Sequence, residues 1–304
     1  MSYERQEFKD HIVNGEGVVT QKGTTLKASH LNHIEDGIIA NEKAINNLAN
    51  GAVGSLNIVY VGNSFSQNAT RYIYNVLTNL GYSDFTVGIA YLGGCSLATH
   101  LSNLKANKVS YDYEICNNSN AGYRSEGKKS LYEILTVKNW DFVILQQNSS
   151  NTDDASTYED VYEVLNYCKK YCPNASYGWH MTWENKGANY ADIVSAVKAT
   201  ILKNAFFDFI IPNGTVIQNA STSYVDNSYI WETDDLHLAT AHPFGKFVAT
   251  LGTVKGILRE KVNIDDVTFK STLTDDEFVV AKESVANAYQ LPFSVTQSAY
   301  PAES

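Results

Sequence analysis

From Leu56 onward the chain alternates short apolar runs with longer amphipathic stretches, and this alternation leaves few folds open. Residues 56–61, 85–90, 141–145, 176–181 and 207–211 read as strands. Residues 69–80, 157–171, 190–203 and 243–259 read as helices, with a further helix at 275–289 before a polar stretch to Ser304. Strands that stay apolar on both faces belong to a parallel sheet covered by helices on each side. The expected architecture is therefore an α/β/α sandwich of about five parallel strands. Residues 95–135 form an elaborated connection, expected to hold a helix at 97–107 and a hairpin around 111–115. No internal repeat is visible. The 304-residue length suits one such domain of about 200–250 residues with a short addition. The boundaries fall at 1–50 for an N-terminal segment, 51–55 for a linker and 56–304 for the α/β domain.

The N-terminal segment has its own pattern. Residues 26–50 read as one helix, and Asn50-Gly51 is a stop signal. Leu31, Ile34, Ile38, Asn41, Ile45 and Leu48 follow one another at spacings of three and four. That is a heptad seam, with Leu31, Ile38 and Ile45 at one core position and Ile34, Asn41 and Leu48 at the other. Isoleucine at both positions favours three strands over two, and a buried asparagine fixes register. A homotrimeric coiled coil is expected, against the alternative of an amphipathic helix lying on its own domain. The run Gly23-Thr24-Thr25-Leu26-Lys27-Ala28-Ser29-His30-Leu31-Asn32-His33-Ile34-Glu35-Asp36-Gly37-Ile38 resembles a segment found near the start of phage tail-fibre and baseplate proteins. The resemblance implies a virion or prophage setting, with other tail proteins as partners and action at a host cell surface.

Charge and composition exclude several roles. A net charge of −10 offers no basic face for a phosphate backbone, so nucleic acid is not an expected partner. No apolar run is long enough for a membrane span, so membrane insertion is not expected. The polar N-terminus shows no signal peptide. Cys95, Cys116, Cys168 and Cys172 are too few for a disulfide scaffold. They read as ordinary thiols, with a Cys168–Cys172 disulfide or metal pair as lesser readings. His11, His30, His33, His100 and His242 show no metal spacing, and no cofactor is expected.

Open α/β sheets bind ligands beyond the carboxyl ends of their strands. The first strand runs into Gly62-Asn63-Ser64-Phe65-Ser66, which presents Ser64 at a helix mouth where backbone N–H groups can stabilise an anion. A serine there also serves as an ordinary helix cap. Near the end of the domain come Asp234 and His237, three apart. That spacing lets a carboxylate orient an imidazole whose other nitrogen faces a serine. A solvated acidic loop with a stray histidine is the plainer reading of that pair alone.

Together, the Gly-Asn-Ser-Phe-Ser block and the Asp-x-x-His block resemble the SGNH (GDSL-like) hydrolase superfamily over about residues 56–290. The resemblance implies a flavodoxin-like fold and serine esterase activity. It implies Ser64 as nucleophile, His237 as general base and Asp234 as its orienting acid, with Asp235 too near the histidine to serve as well. It implies an oxyanion hole from the N–H groups of Ser64 and Gly94 (Gly93 as the fallback) and one side-chain amide. The family's Gly-x-Asn-Asp block is missing. Gln146, Gln147 and Asn148 stand in its place, and Gln147 is the expected donor. Asn63, Phe65, Trp183 and His180 are the expected pocket residues, although for His180 a satisfied structural histidine is the alternative. The substrate implied is an acylated glycan carrying O-acetyl groups. A non-catalytic glycan-binding or structural tail module on the same fold is the competing expectation.

Overall fold

Every residue of the first strand of the domain, β1 (Leu56–Gly62), is buried, as a run apolar on both faces requires. Its side chains divide by parity. Ile58 and Tyr60 enter one core, Val59 and Val61 the other, because successive residues of a strand point to opposite faces. In the computed structural model residues 12–13, 19–21, 55–185 and 189–302 are described. Two units are separable, Met1–Val53 and Gly54–Ser304. In the first, Ile12–Val13 pairs antiparallel with Val19–Gln21. The expected helix over 26–50, its trimeric seam and all but the last residue of the 51–55 linker lie outside the described residues.

The second unit is built on a seven-stranded sheet. After β1 come β2 (Phe85–Tyr91), β3 (Tyr111–Asn117), β4 (Asn120–Lys129), β5 (Phe142–Leu145), β6 (Ser176–His180) and β7 (Phe209–Ile211). The spatial order is β4-β3-β2-β1-β5-β6-β7. Strands β2, β1, β5, β6 and β7 run parallel, the five expected. The expected hairpin is longer than its apolar run suggested, and it extends the sheet as the antiparallel pair β3 and β4. β5 and β7 start later than expected, each just after an aspartate whose carboxylate binds the neighbouring strand. Asp141 Oδ2 accepts from the Asn57 N–H at 2.7 Å and Asp208 Oδ2 from the Tyr177 N–H at 2.7 Å. In each, a carboxylate replaces the carbonyl that a longer strand would supply.

The helices are α1 (Ser64–Ala69), α2 (Ile73–Asn79), α3 (Leu97–Lys105), α4 (Leu131–Thr136), α5 (Val161–Tyr171), α6 (Tyr190–Val197), α7 (Asn213–Ser221), α8 (Asn227–Ile230), α9 (Phe244–Leu258) and α10 (Asp275–Gln290). The first two and last four bury residues in the core on one face, and α3 to α6 in the core on the other. Layer order and strand order are those of a three-layer α/β/α fold. The expected helix over 69–80 is α2, which starts later than expected, and the separate helix α1 ends at Ala69 ahead of it. The Thr70 hydroxyl and N–H both turn back to the Ser66 carbonyl, closing α1 there. The sequence signal for α4 is the Ser130/Glu133 capping box, whose two reciprocal bonds are both present. All four cysteines are free and buried. Among the described residues no helix is long and apolar enough to cross a membrane.

This topology fixes where a site can lie. The chain leaves β1 for β2 on one side and returns to β5 on the other. The carboxyl ends of β1 and β5 therefore bound the crevice at the switch point of the sheet.

Candidate active site

Ser64 occupies that crevice because of what precedes it. Asn63 leaves the strand in extended conformation, and its Oδ1 accepts the Phe65 N–H at 3.0 Å, capping α1. Ser64 is thereby the first helical residue. His237 arrives from the loop between α8 and α9. Its Nε2 lies 2.8 Å from Ser64 Oγ, and its Nδ1 lies 2.6 Å from Asp234 Oδ2. A serine, imidazole and carboxylate in this order can draw the serine proton towards the imidazole while the carboxylate fixes the ring.

The loop that carries His237 is tied at several points. Asp234 Oδ1 accepts the N–H groups of Leu236 (3.0 Å) and His237 (2.9 Å). Trp231 and Leu238 form an isolated antiparallel bridge. The Leu238 N–H donates to Asn68 Oδ1 of α1 at 2.9 Å, which links the loop to the helix that begins with Ser64. Asp235 turns the chain with φ at +51° and is not the carboxylate on the ring. Burial pulls the Asp234 pKa upward. The bonds from the His237 N–H and ring, the Leu236 N–H and the His237 charge outweigh it and hold the carboxyl down at about 2. The pair is open to solvent, with side-chain exposures of 31% for His237 and 48% for Asp234.

The expected amide donor is corrected. Gln147 Oε1 accepts the N–H groups of Leu97 (3.1 Å) and Asn148 (2.9 Å), and its Nε2 donates to the Thr157 carbonyl and hydroxyl. It serves the first turn of α3, whose leading N–H groups lack helical partners. That leaves Gln147 no donor for an oxyanion. Gln146 is engaged as well, donating from Nε2 to Asn63 Oδ1 at 2.7 Å. Asn148 is different. It is 9% exposed where both glutamines are at 1%, and its Nδ2 donates to the Gly94 carbonyl at 3.2 Å. An amide nitrogen carries two hydrogens, so the second can serve another acceptor beside Gly94. Gly94 has φ at +60° with open space where a Cβ would stand. Glycine is required there for its backbone, not for room.

The four expected pocket residues are also corrected, since none lines an open surface. Asn63 (3% exposed) faces inward to cap α1. Phe65 is stacked on Trp183 with ring centroids 4.4 Å apart and meets His237 edge-on. Trp183 is fully buried, and its indole N–H donates to the Leu236 carbonyl at 3.1 Å. It braces the residue before His237. His180 is 1% exposed, with Nδ1 at Gln146 Oε1 and Nε2 at Asn213 Nδ2, each 3.1 Å. Burial pushes its pKa down to about 3. It is the satisfied histidine of the alternative reading. Among the described residues no group of three or more His, Cys, Asp or Glu could hold a metal ion.

A family model described as "Domain of unknown function (DUF4886)" matches residues 57–288. The chain belongs to the DUF4886 family. The DUF4886 match spans both ends of the Ser64–His237–Asp234 arrangement and leaves the N-terminal segment outside it. Among curated proteins none matches this sequence. The crystal structure of a DUF4886 family protein from Bacteroides uniformis is similar, with a TM-score of 0.73 at 24% identity, covering 80% of this chain and 98% of that one. It shares the fold. Further solved structures are more distant. A candidate SGNH hydrolase from Slackia heliotrinireducens has a TM-score of 0.44 at 15% identity, covering 67% of this chain and 100% of that one. A family 3 carbohydrate esterase from Clostridium thermocellum has a TM-score of 0.43 at 14% identity, covering 68% and 97%.

Proposed function

We propose that this DUF4886 domain is a serine esterase that removes small acyl groups, O-acetyl above all, from carbohydrate. The observation that carries the reading is the unbroken contact from Ser64 Oγ through the His237 ring to Asp234. In the proposed cycle His237 Nε2 takes the Ser64 proton as Oγ attacks the ester carbonyl. The oxyanion is met by the N–H groups of Ser64 and Gly94 and by Asn148 Nδ2. His237 returns the proton to the departing alkoxide, and water repeats the sequence on the acyl-enzyme. The cycle uses no metal or organic cofactor.

Two features support carbohydrate as the carrier of the acyl group. The Asp234–His237 pair stands at an exposed surface, which a polymer can reach. The loops after β5 and β6 are rich in amides and hydroxyls, including Ser149, Ser150 and Asn151, and Asn185 Nδ2 joins them through the Ser149 carbonyl at 3.0 Å. The N-terminal segment extends the proposal. Its heptad seam would present three copies of the domain on a phage tail structure, and light scattering of the full chain should then give a trimer.

The direct test compares p-nitrophenyl acetate and butyrate hydrolysis by wild type and Ser64→Ala. Turnover that Ser64→Ala loses, with acetate preferred, is the expected result. Wild-type turnover no faster than Ser64→Ala contradicts it and favours a glycan-binding module.

A further inference from the structure

Beneath Ser64 lies a polar chain that the proposed cycle does not use. Asn213 Nδ2, at the start of α7, contacts Thr253 Oγ1 (3.0 Å) and His180 Nε2 (3.1 Å). His180 Nδ1 reaches Gln146 Oε1 (3.1 Å). That oxygen also accepts from Ser66 Oγ (2.8 Å), while Gln146 Nε2 donates to Asn63 Oδ1 (2.7 Å). All six side chains are almost wholly buried. One assignment gives every contact in the row a donor and an acceptor, and leaves Asn213 Oδ1 as the row's one buried atom without a partner. The Asn213 amide donates to Nε2, so the imidazole is neutral with its proton on Nδ1, and that proton goes to Gln146. Burial, which disfavours the imidazolium, agrees with this assignment.

The row meets the candidate nucleophile in a particular way. The Gln146 amide takes hold of Asn63 and Ser66, the residues one before and two after Ser64. Close packing makes this possible, because a Cβ on Gly62 would come within 2.2 Å of Ser66 Oγ and 3.0 Å of Gln146 Cδ. No member of the row is exposed enough to touch a substrate. A buried polar row is harder to satisfy than an apolar core of the same volume.

We infer that Gln146 and His180 are positioning residues for Ser64: Gln146 clamps the turn on both sides of the nucleophile, and His180 fixes which way its amide faces. Flipping the amide would set Gln146 Oε1 against Asn63 Oδ1 and release the cap of α1. The inference rests on the serine esterase reading and extends it to residues that never meet substrate.

The test measures kcat and KM for p-nitrophenyl acetate, and the rate of Ser64 labelling by a fluorophosphonate. The variants are Gln146→Met, His180→Leu and His180→Gln, each held well below its unfolding temperature. In Gln146→Met the expected fall in kcat and labelling rate is about 10²-fold with KM unchanged, the scale of a misplaced reacting group. In His180→Leu it is about tenfold, the rate equivalent of one hydrogen bond. His180→Gln, whose amide can still donate to Gln146, should recover most of that loss. A merely structural role would lower the unfolding temperature and leave these rates at the wild-type value in the folded variants, which would overturn the inference. If Gln146→Met does not fold, equal rates in His180→Leu and wild type overturn it instead. A wild type that neither hydrolyses the ester nor takes the label removes the esterase reading, and the inference with it.

Discussion

The two halves of the site are held in opposite ways. Ser64 sits on a turn fixed from below by buried side chains, with Asn63, Ser66, Gln146 and His180 all at 3% exposure or less. His237 and Asp234 stand on a loop open to water, tied by backbone hydrogen bonds and by contacts from outside it that include Asn68 and Trp183. The difference teaches where accuracy and access come from. A nucleophile on a rigid strand-to-helix turn needs a fixed direction of attack. A base must exchange protons with a leaving group and with water, so its loop must remain reachable.

Breaking the exposed half should have the largest effect. Asp234→Asn keeps the shape of the side chain but removes the charge on the ring. Its kcat for acetate esters should fall by about 10⁴-fold, the scale seen when a triad acid is neutralised. The unfolding temperature should fall only modestly, because solvent screens the stabilising charge of this half-exposed side chain. A loss under tenfold would mean that Asp234 does not orient the base.

Next comes the boundary between the halves. Asn148→Ala should lower kcat by about 10²–10³-fold, as loss of one oxyanion donor does, with a small change in stability. Gln147→Ala should do the reverse. It removes four hydrogen bonds, one to Leu97 at the start of α3, one to Asn148 and two to Thr157, so thermal unfolding should shift far more than kcat. The opposite ranking would return Gln147 to the role the sequence suggested for it.

The smallest effect is on stability against pH. His180 and His100 are buried, with pKa values pushed down to about 3 and about 4, against about 6.5 in an unfolded chain. Between those limits the unfolded state binds more protons. Stability is therefore fully present above about pH 6.5 and falls as the pH drops, by up to about 1.4 kcal/mol per pH unit for each histidine. Asp234 acts lower. Its depressed carboxyl contributes stability above its unfolded value near 3.9, and that contribution is lost only as the pH falls towards about 2. Urea unfolding at pH 7, 6 and 5 should show the decline, and His100→Gln should flatten it. An unchanged midpoint across that range would mean that these histidines are not neutral in the fold.

The five parallel strands were legible in the sequence because burial on both faces leaves short apolar runs between the helical stretches, whereas the largely exposed β4 leaves none. The Ser64, Asp234 and His237 positions were legible because a serine just after a strand and an Asp-x-x-His pair ahead of a late apolar helix are patterns of fixed residue types and spacing. Side-chain direction beyond a strand was not. Gln146 and Gln147 are adjacent amides, yet Gln146 turns under Ser64 and Gln147 towards α3, each drawn by a partner more than forty residues away in the chain. His180 and Trp183 read as a pocket rim because aromatic residues at a strand end suit that role. The orphan carbonyl of Leu236 and the amide of Asn213 claim them instead. The break of α1 at Thr70 depends on a hydroxyl turning back to the Ser66 carbonyl, which no periodicity displays.

The central claim is that His237 activates Ser64 as a nucleophile. It is tested most directly by treating the full chain with a fluorophosphonate and mapping the adduct by peptide mass spectrometry, with His237→Ala in parallel. The account predicts a single adduct on Ser64 that forms at least 10²-fold more slowly in His237→Ala, about the low end of what general-base assistance supplies. No adduct in the wild type, or an adduct on Ser64 that forms equally fast without His237, would contradict it.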